Sequence, residues 1–229
     1  MSTLDVFQLQ KDFVTTLIHD TIETYPAPWR LVHEASQNAA DAVQRNDAIK
    51  RGHILIEFRI GTNCVVVTDN GRGVPISQFP SIFQLGGGDK RDPELRKILK
   101  GSQGVGIKAT CYTSTYFAVE TVHDGHAWTY EAKDFYRFDD ASFKSTIEAP
   151  TPKATKEPSG TKVLYSLANY TVLDFLNEII GEYLDDSQFE EIADVNQLKV
   201  AIEQYFRTEN VPRVRSAASR RKRAQTDRR

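Results

Sequence analysis

The sequence predicts an α+β fold, a two-layer α/β sandwich with helices on one face of a mixed, mostly antiparallel sheet. Three observations carry this expectation. Period-two apolar runs such as HILIEFRI (53–60) stand beside helical patterns such as RLVHEASQNAADAV (30–43). Strands and helices are mixed, with no regular strand–helix–strand alternation. The chain has 229 residues, 40% of them apolar and 26% charged, enough to bury one sizeable core.

Taken in order, Val6, Phe7, Phe13, Val14, Leu17, Ile18 and Ile22 recur at helical spacing and predict a first helix over residues 4–24. Pro26 and Pro28 interrupt it, since each removes a donor and biases the preceding residue away from helix. A second helix follows to about Lys50, with Gly52 as its stop signal. HILIEFRI turns through Gly61-Thr62-Asn63 into CVVVTDNG (64–71). A short helix is expected over ISQFPSIFQL (76–85), then a loop rich in glycine and charge (86–104), then a buried helix from Val105 through Cys111. TYFAVETVHDGHAWTYEA (115–132) reads as a hairpin with Asp124-Gly125 at its tip. A strand near 142–149, a Pro/Lys/Thr loop (150–159) and GTKVLYSLA (160–168) close the sheet. The expected organisation is a folded domain over 1–170, an acidic helical segment over 171–210 and a basic, disordered tail over 211–229.

The formal charge of −2 hides an asymmetry. Residues 211–229 hold eight basic side chains against one acid, +7, which leaves −9 for residues 1–210. Such a tail can meet nucleic acid or another polyanion, or be merely solvated. No apolar run reaches the length of a membrane span, and no membrane partner is expected. Residues 1–13 lack a basic region followed by an apolar core, so no secretory signal is expected. Cys64 and Cys111 lie in apolar surroundings without metal-type spacing, as buried thiols of a reducing compartment do. A cytoplasmic location is the expectation. No internal repeat is visible, and the missing P-loop pattern argues against a Walker-type nucleotide fold.

Four separated elements offer chemistry. Glu34, Asn38 and Asp41 fall at i, i+4 and i+7 on one side of the second helix. A carboxylate and an amide oxygen one turn apart can set a general base beside a hard-cation ligand, and magnesium takes few protein oxygens when phosphates supply the rest. Asp69 ends an apolar strand, where a carboxylate can accept from an exocyclic amine. Gly71 and Gly73 after it let backbone approach a flat ring. Gly101-Ser-Gln-Gly-Val-Gly106 opens a helix, a place that favours phosphate. Ser159-Gly160-Thr161 starts the last strand. Alone, each has a plain alternative: a solvated helix face, an ordinary turn, a flexible loop. Their order within a consistent set of elements is what carries weight.

In that order the motifs resemble the GHKL, or Bergerat-fold, ATPases: gyrase-type topoisomerases, ninety-kilodalton heat-shock chaperones, histidine kinases and mismatch-repair ATPases. EASQNAADA (34–42) is similar to the N box, DNGRGV (69–74) to the first glycine box, GSQGVGIKAT (101–110) to the second, and SGTKV (159–163) to the closing strand. The resemblance covers residues 28–168 and is nearest the type II topoisomerase and chaperone patterns.

The resemblance implies ATP and Mg2+ as cofactors and a role for each matching position. Glu34 would be the general base, and Asn38 the metal ligand. Asp69 would bind the adenine amine with Thr161 assisting through water, in a pocket shaped by Gly71 and Gly73. Gly101, Gln103, Gly104, Val105 and Gly106 would wrap the phosphates under a lid over 86–103. Asp41 would support the helix. The presence of Glu34 resembles the hydrolysing branches. Topoisomerase and mismatch-repair relatives add a second domain whose lysine reaches the γ-phosphate, whereas fewer than sixty-five residues follow the last strand here. Lys108 and Lys90 are the substitutes, solvent exposure at a helix start being the plain alternative for Lys108. Otherwise a partner subunit brings the lysine, the chain is a fragment, or turnover is slow. The implied function is an ATPase module, topoisomerase-like or chaperone-like, whose lid couples nucleotide state to conformational change or dimerisation. The alternative is an ATP-gated interaction module with negligible turnover, associated with nucleic acid through residues 211–229.

Overall fold

The computed structural model describes residues 3–5, 11–23, 30–83, 106–140, 142–143 and 146–176. Strand β1 is Thr3–Asp5, helix α1 Lys11–Glu23 and helix α2 Arg30–Gln44. Strands β2 (Ile54–Arg59) and β3 (Cys64–Asp69) lead to helix α3 (Phe79–Phe83). Helix α4 is Gly106–Tyr112, and the hairpin strands are β4 (Ser114–His123) and β5 (His126–Lys133). Strands β6 (Thr146–Glu148), β7 (Lys153–Ala154) and β8 (Gly160–Leu167) precede helix α5, of which residues 172–176 are described. The expected proline break at 25–29, the lid and helical acidic segment beyond 176, and the basic tail lie outside the described residues.

The main sheet runs β2-β3-β8-β4-β5-β7, and its pairings are all antiparallel. Strand β8, expected to close the sheet, is inserted between β3 and β4 at its centre. The pleat sorts the two faces. Val65, Val67, Phe117, Val119 and Tyr165 point into the main core, where α2 and α4 pack. Val66, Ala118 and Leu164 form a smaller cluster on the opposite face. The described helices therefore lie on one face, as expected.

Several boundaries differ from the sequence reading: the strand expected over 142–149 is confined to Thr146–Glu148, and the expected loop 150–159 contains β7. Residues 4 and 5, read as the start of a helix, form with Thr3 a strand paired with β6 in a separate two-stranded sheet. This pairing places Ile147 in the core, a long-range choice that three residues cannot signal. Helix α2 stops at Gln44, not near Lys50. Its ladder shortens where Asn46 N–H bonds the Val43 carbonyl, and the Asn46 side chain leaves to donate to the Asn70 carbonyl at 3.1 Å. A tertiary contact thus overrides a helical composition.

An aromatic cluster fixes the elements around the site. Phe79 meets Phe83, Trp128 and Tyr130 edge-on, with ring centroids 5.3, 5.7 and 5.1 Å away. Such pairs are worth about 0.5–1.5 kcal/mol each beyond their burial. They pin α3, and with it the turn that precedes it, to the hairpin. Helix α5 opens with a reciprocal cap: Thr171 N–H donates to Asp174 Oδ2 and Asp174 N–H to Thr171 Oγ1.

Candidate functional site

The site begins as a row of side chains across the sheet. Asp69 is directly opposite Ile54 on one side and Thr161 on the other, Thr161 is opposite Thr121, and Thr121 is opposite Trp128. Residues directly opposite in antiparallel strands share a face, and this face is the one that the helices cover. Asp69, Thr161 and Thr121 are 9%, 9% and 4% exposed. Three polar side chains thus stand in line at one end of an otherwise apolar core.

Burial is the dominant influence on Asp69. It pushes the carboxyl from 3.8 up to about 6, against the opposing pull of hydrogen bonds from the Gly71 and Thr161 backbone N–H groups. The Gly71 N–H reaches Asp69 Oδ1 at 2.7 Å. A dry acceptor of this kind suits a ligand N–H donor.

The turn after Asp69 is held on three sides. Arg72 N–H donates to the Ala42 carbonyl at 3.1 Å, docking the turn on the last turn of α2. His123 Nδ1 lies 2.8 Å from the Arg72 carbonyl, and since a carbonyl only accepts, Nδ1 carries the proton. Val74 donates its N–H to Thr121 Oγ1 at 2.9 Å, and its carbonyl accepts from Trp128 Nε1 at 2.8 Å. Asn70 is committed elsewhere, accepting from His53 N–H and donating to the Arg51 carbonyl.

The glycines owe their places to the protein's own backbone. A methyl group at Gly71 would lie 2.5 Å from the Ala42 carbonyl carbon and 2.7 Å from Asp69 Oδ1. Gly73 has φ +72°, and a methyl there would meet the Val122 carbonyl oxygen. Both glycines thus have a cause within the fold itself.

Helix α2 buries Leu31, Val32, Ala39 and Ala40, while Glu34 and Asn38 are half-buried one turn apart. Ser36 and Gln37 bond within the helix, to the Val32 carbonyl and to His33. Asp41 is 6% exposed, buried rather than part of a solvated stripe. Gly106 is pressed against Glu34: a methyl there would lie 2.5 Å from Glu34 Oε2 and 2.7 Å from its Cβ. The start of α4 therefore faces the Glu34 carboxylate.

The four sequence motifs converge. The first meets the third through Glu34 and Gly106, the second meets the first through Gly71, Arg72 and Ala42, and the second meets the fourth through Asp69 and Thr161. Gly101, Gln103, Gly104, Val105 and Lys90 lie outside the described residues. Lys108 is 2% exposed, so the solvent-facing reading of it is wrong. Thr121 and Trp128 carry no motif that marks them in the sequence. The Asp124-Gly125 tip does fix their mutual pairing, and counting back from it finds them facing each other.

A half-buried carboxylate and an amide one turn apart on α2, Glu34 and Asn38, suit a cation completed by phosphate oxygens better than an all-protein metal cage. Among the described residues no three His, Cys, Asp or Glu side chains gather to hold a metal. None of the described helices is long and apolar enough to cross a membrane.

Comparison with known proteins matches residues 26–162, more than half of the chain, to one family profile. The chain belongs to the histidine kinase-, DNA gyrase B- and HSP90-like ATPase family. It is 31% identical over 107 residues to DNA gyrase B of Mycobacterium tuberculosis, covering 43% of this chain and 15% of that protein. A match of the same identity and length to the Mycobacterium bovis protein covers 14% of it. The chain thus spans about 15% of the length of these curated relatives. Its fold is similar to the ATPase and transducer domains of DNA topoisomerase II from Balamuthia mandrillaris, with TM-score 0.54 and 20% identity, covering 67% of this chain and 43% of that one. The ATPase region of Saccharomyces cerevisiae topoisomerase II gives TM-score 0.52 at 20% identity, covering 66% and 43%. These likenesses agree with the α+β sandwich expected from sequence.

Proposed function

We propose that this chain is an ATPase module that binds ATP with Mg2+ and couples its nucleotide state to a conformational change or to pairing with a partner subunit or second copy. The observation that carries the proposal is Asp69: a buried carboxyl acceptor in register with Thr161, followed by a turn that docks on the helix whose Glu34 meets Gly106. In this reading the adenine amine donates to Asp69, and the phosphates run toward the start of α4 and Glu34. Glu34 takes the proton of the attacking water as its oxygen bonds to the γ-phosphorus and the bond to the β–γ bridging oxygen breaks. Asn38 would hold the metal through its amide oxygen, and the metal, when bound, neutralises developing charge on the phosphates. Lys108, buried in α4, is the internal candidate for the γ-phosphate cation. Residues 211–229 are assigned to polyanion contact on their charge alone.

Phosphate release from the purified chain, compared with Glu34→Ala, tests the enzyme claim. The expected loss is about 10²–10⁴-fold, the usual contribution of a general base, with ATP binding retained. A wild type no faster than the variant, with both still binding ATP, would replace the enzyme by an ATP-gated interaction module.

A further inference from the structure

The hydroxyl of Thr121 has three hydrogen-bond partners near the site, and neither composition nor motif marks it. A threonine hydroxyl has one proton to give and two lone pairs to accept with. Thr121 Oγ1 accepts from Val74 N–H at 2.9 Å. It donates to the Gly160 carbonyl at 2.9 Å, and a carbonyl cannot return a proton. The proton of Thr121 is therefore committed, with one lone pair remaining. Thr161 Oγ1 lies 3.2 Å away, and of the two hydroxyls only Thr161 then has a proton for that contact.

The consequence lies on the other side of Thr161. Its single proton points along the row toward Thr121, away from Asp69, which is its opposite neighbour on β3. What Thr161 retains for a ligand is lone pairs, and the neighbouring carboxylate is also an acceptor. The backbone N–H groups of Gly71 and Thr161 bond Asp69 itself. The dry end of the sheet thus presents acceptors side by side, which suits a base edge that brings an amine and opposes one that brings a keto oxygen.

We propose that Thr121 is a positioning residue that sets the site's preference for 6-amino over 6-keto purines by holding the Thr161 proton away from the ligand. This rests on the ATP-binding function above. It adds the determinant of base choice and places it on a residue that does not touch the base.

Calorimetric titration at pH 8 with magnesium, using ADP and inosine diphosphate, tests it. Wild type binds ADP more tightly than the inosine nucleotide. Thr121→Val frees the Thr161 hydroxyl to turn toward a keto oxygen, and the ADP preference falls by about tenfold, the value of one hydrogen bond. Thr121→Ser keeps the wiring and the preference. Thr161→Val removes the lone pairs while leaving the bonds of Thr121 to Val74 and Gly160, and it lowers the preference as well. A purely structural role would weaken both nucleotides equally. An unchanged ratio in Thr121→Val overturns the inference; should that variant not fold, an unchanged ratio in Thr161→Val does so. A wild type that binds ADP with either outcome leaves the ATP-binding function standing, whereas one that binds neither nucleotide overturns that function and this inference with it.

Discussion

Asp69→Asn should make the ligand-free protein more stable while removing its capacity to bind nucleotide. Burial raises the carboxyl from 3.8 to about 6 in the folded chain. For an acid raised on folding, the folded state holds the proton more tightly than the unfolded state. The associated stability is fully present below about 3.8, falls as pH rises and is lost above about 6. At 1.36 kcal/mol per tenfold, ionised Asp69 costs the fold about 3 kcal/mol at pH 8. Asparagine keeps the shape without the charge, but its amide gives one acceptor oxygen where the carboxylate has two, forfeiting about 1 kcal/mol if one N–H is left unmet. The net gain is about 2 kcal/mol at pH 8, a rise in Tm of about 4–8 °C for a chain of this size. At pH 5 the ionisation cost has fallen to about half, so the advantage shrinks to about 1–2 °C. Thermal melts of both proteins without nucleotide at pH 8 and pH 5 read this directly. A variant less stable than wild type at pH 8, or a gap that does not narrow at pH 5, refutes the idea of a desolvated carboxylate kept for its ligand.

The other expectations follow the same contacts. Gly106→Ala places a methyl on the Glu34 carboxylate and should slow single-turnover phosphate release by about a hundredfold, with about 1–3 kcal/mol of overpacking visible in the melt. Gly73→Ala meets both a positive φ and the Val122 carbonyl, and should lower stability by about 2–4 kcal/mol in urea unfolding. Lys108→Met keeps the buried volume and should weaken ATP about tenfold while leaving ADP within twofold, a contrast that titration of the two nucleotides checks.

Much of the site is legible in the sequence because its determinants are local. The spacing of Glu34 and Asn38 follows from helical period, and Asp69 with its glycines follows from a strand ending in a turn. What local sequence does not supply is register across distant strands. Thr121 reaches Thr161 and Gly160 because β8 is inserted between β3 and β4, and nothing in TYFAVETVH announces that neighbour. The same limit explains β1: Thr3-Leu4-Asp5 becomes a strand by pairing with residues 146–148. The glycines are legible in place but not in cause. Gly71 and Gly73 are crowded by Ala42 and Val122, contacts that arise only when the turn docks between α2 and β4. For Lys108 the sequence leaves both a phosphate contact and solvent exposure open, because one turn of helix cannot reveal which side the rest of the chain covers; the structure buries it.

The central claim is tested most directly by calorimetric titration of a non-hydrolysable Mg–ATP analogue into wild type and Asp69→Asn at pH 8. Saturable one-to-one binding to wild type is expected, with none to the folded, more heat-stable variant. Equal binding to both proteins, or no binding to wild type, would contradict it.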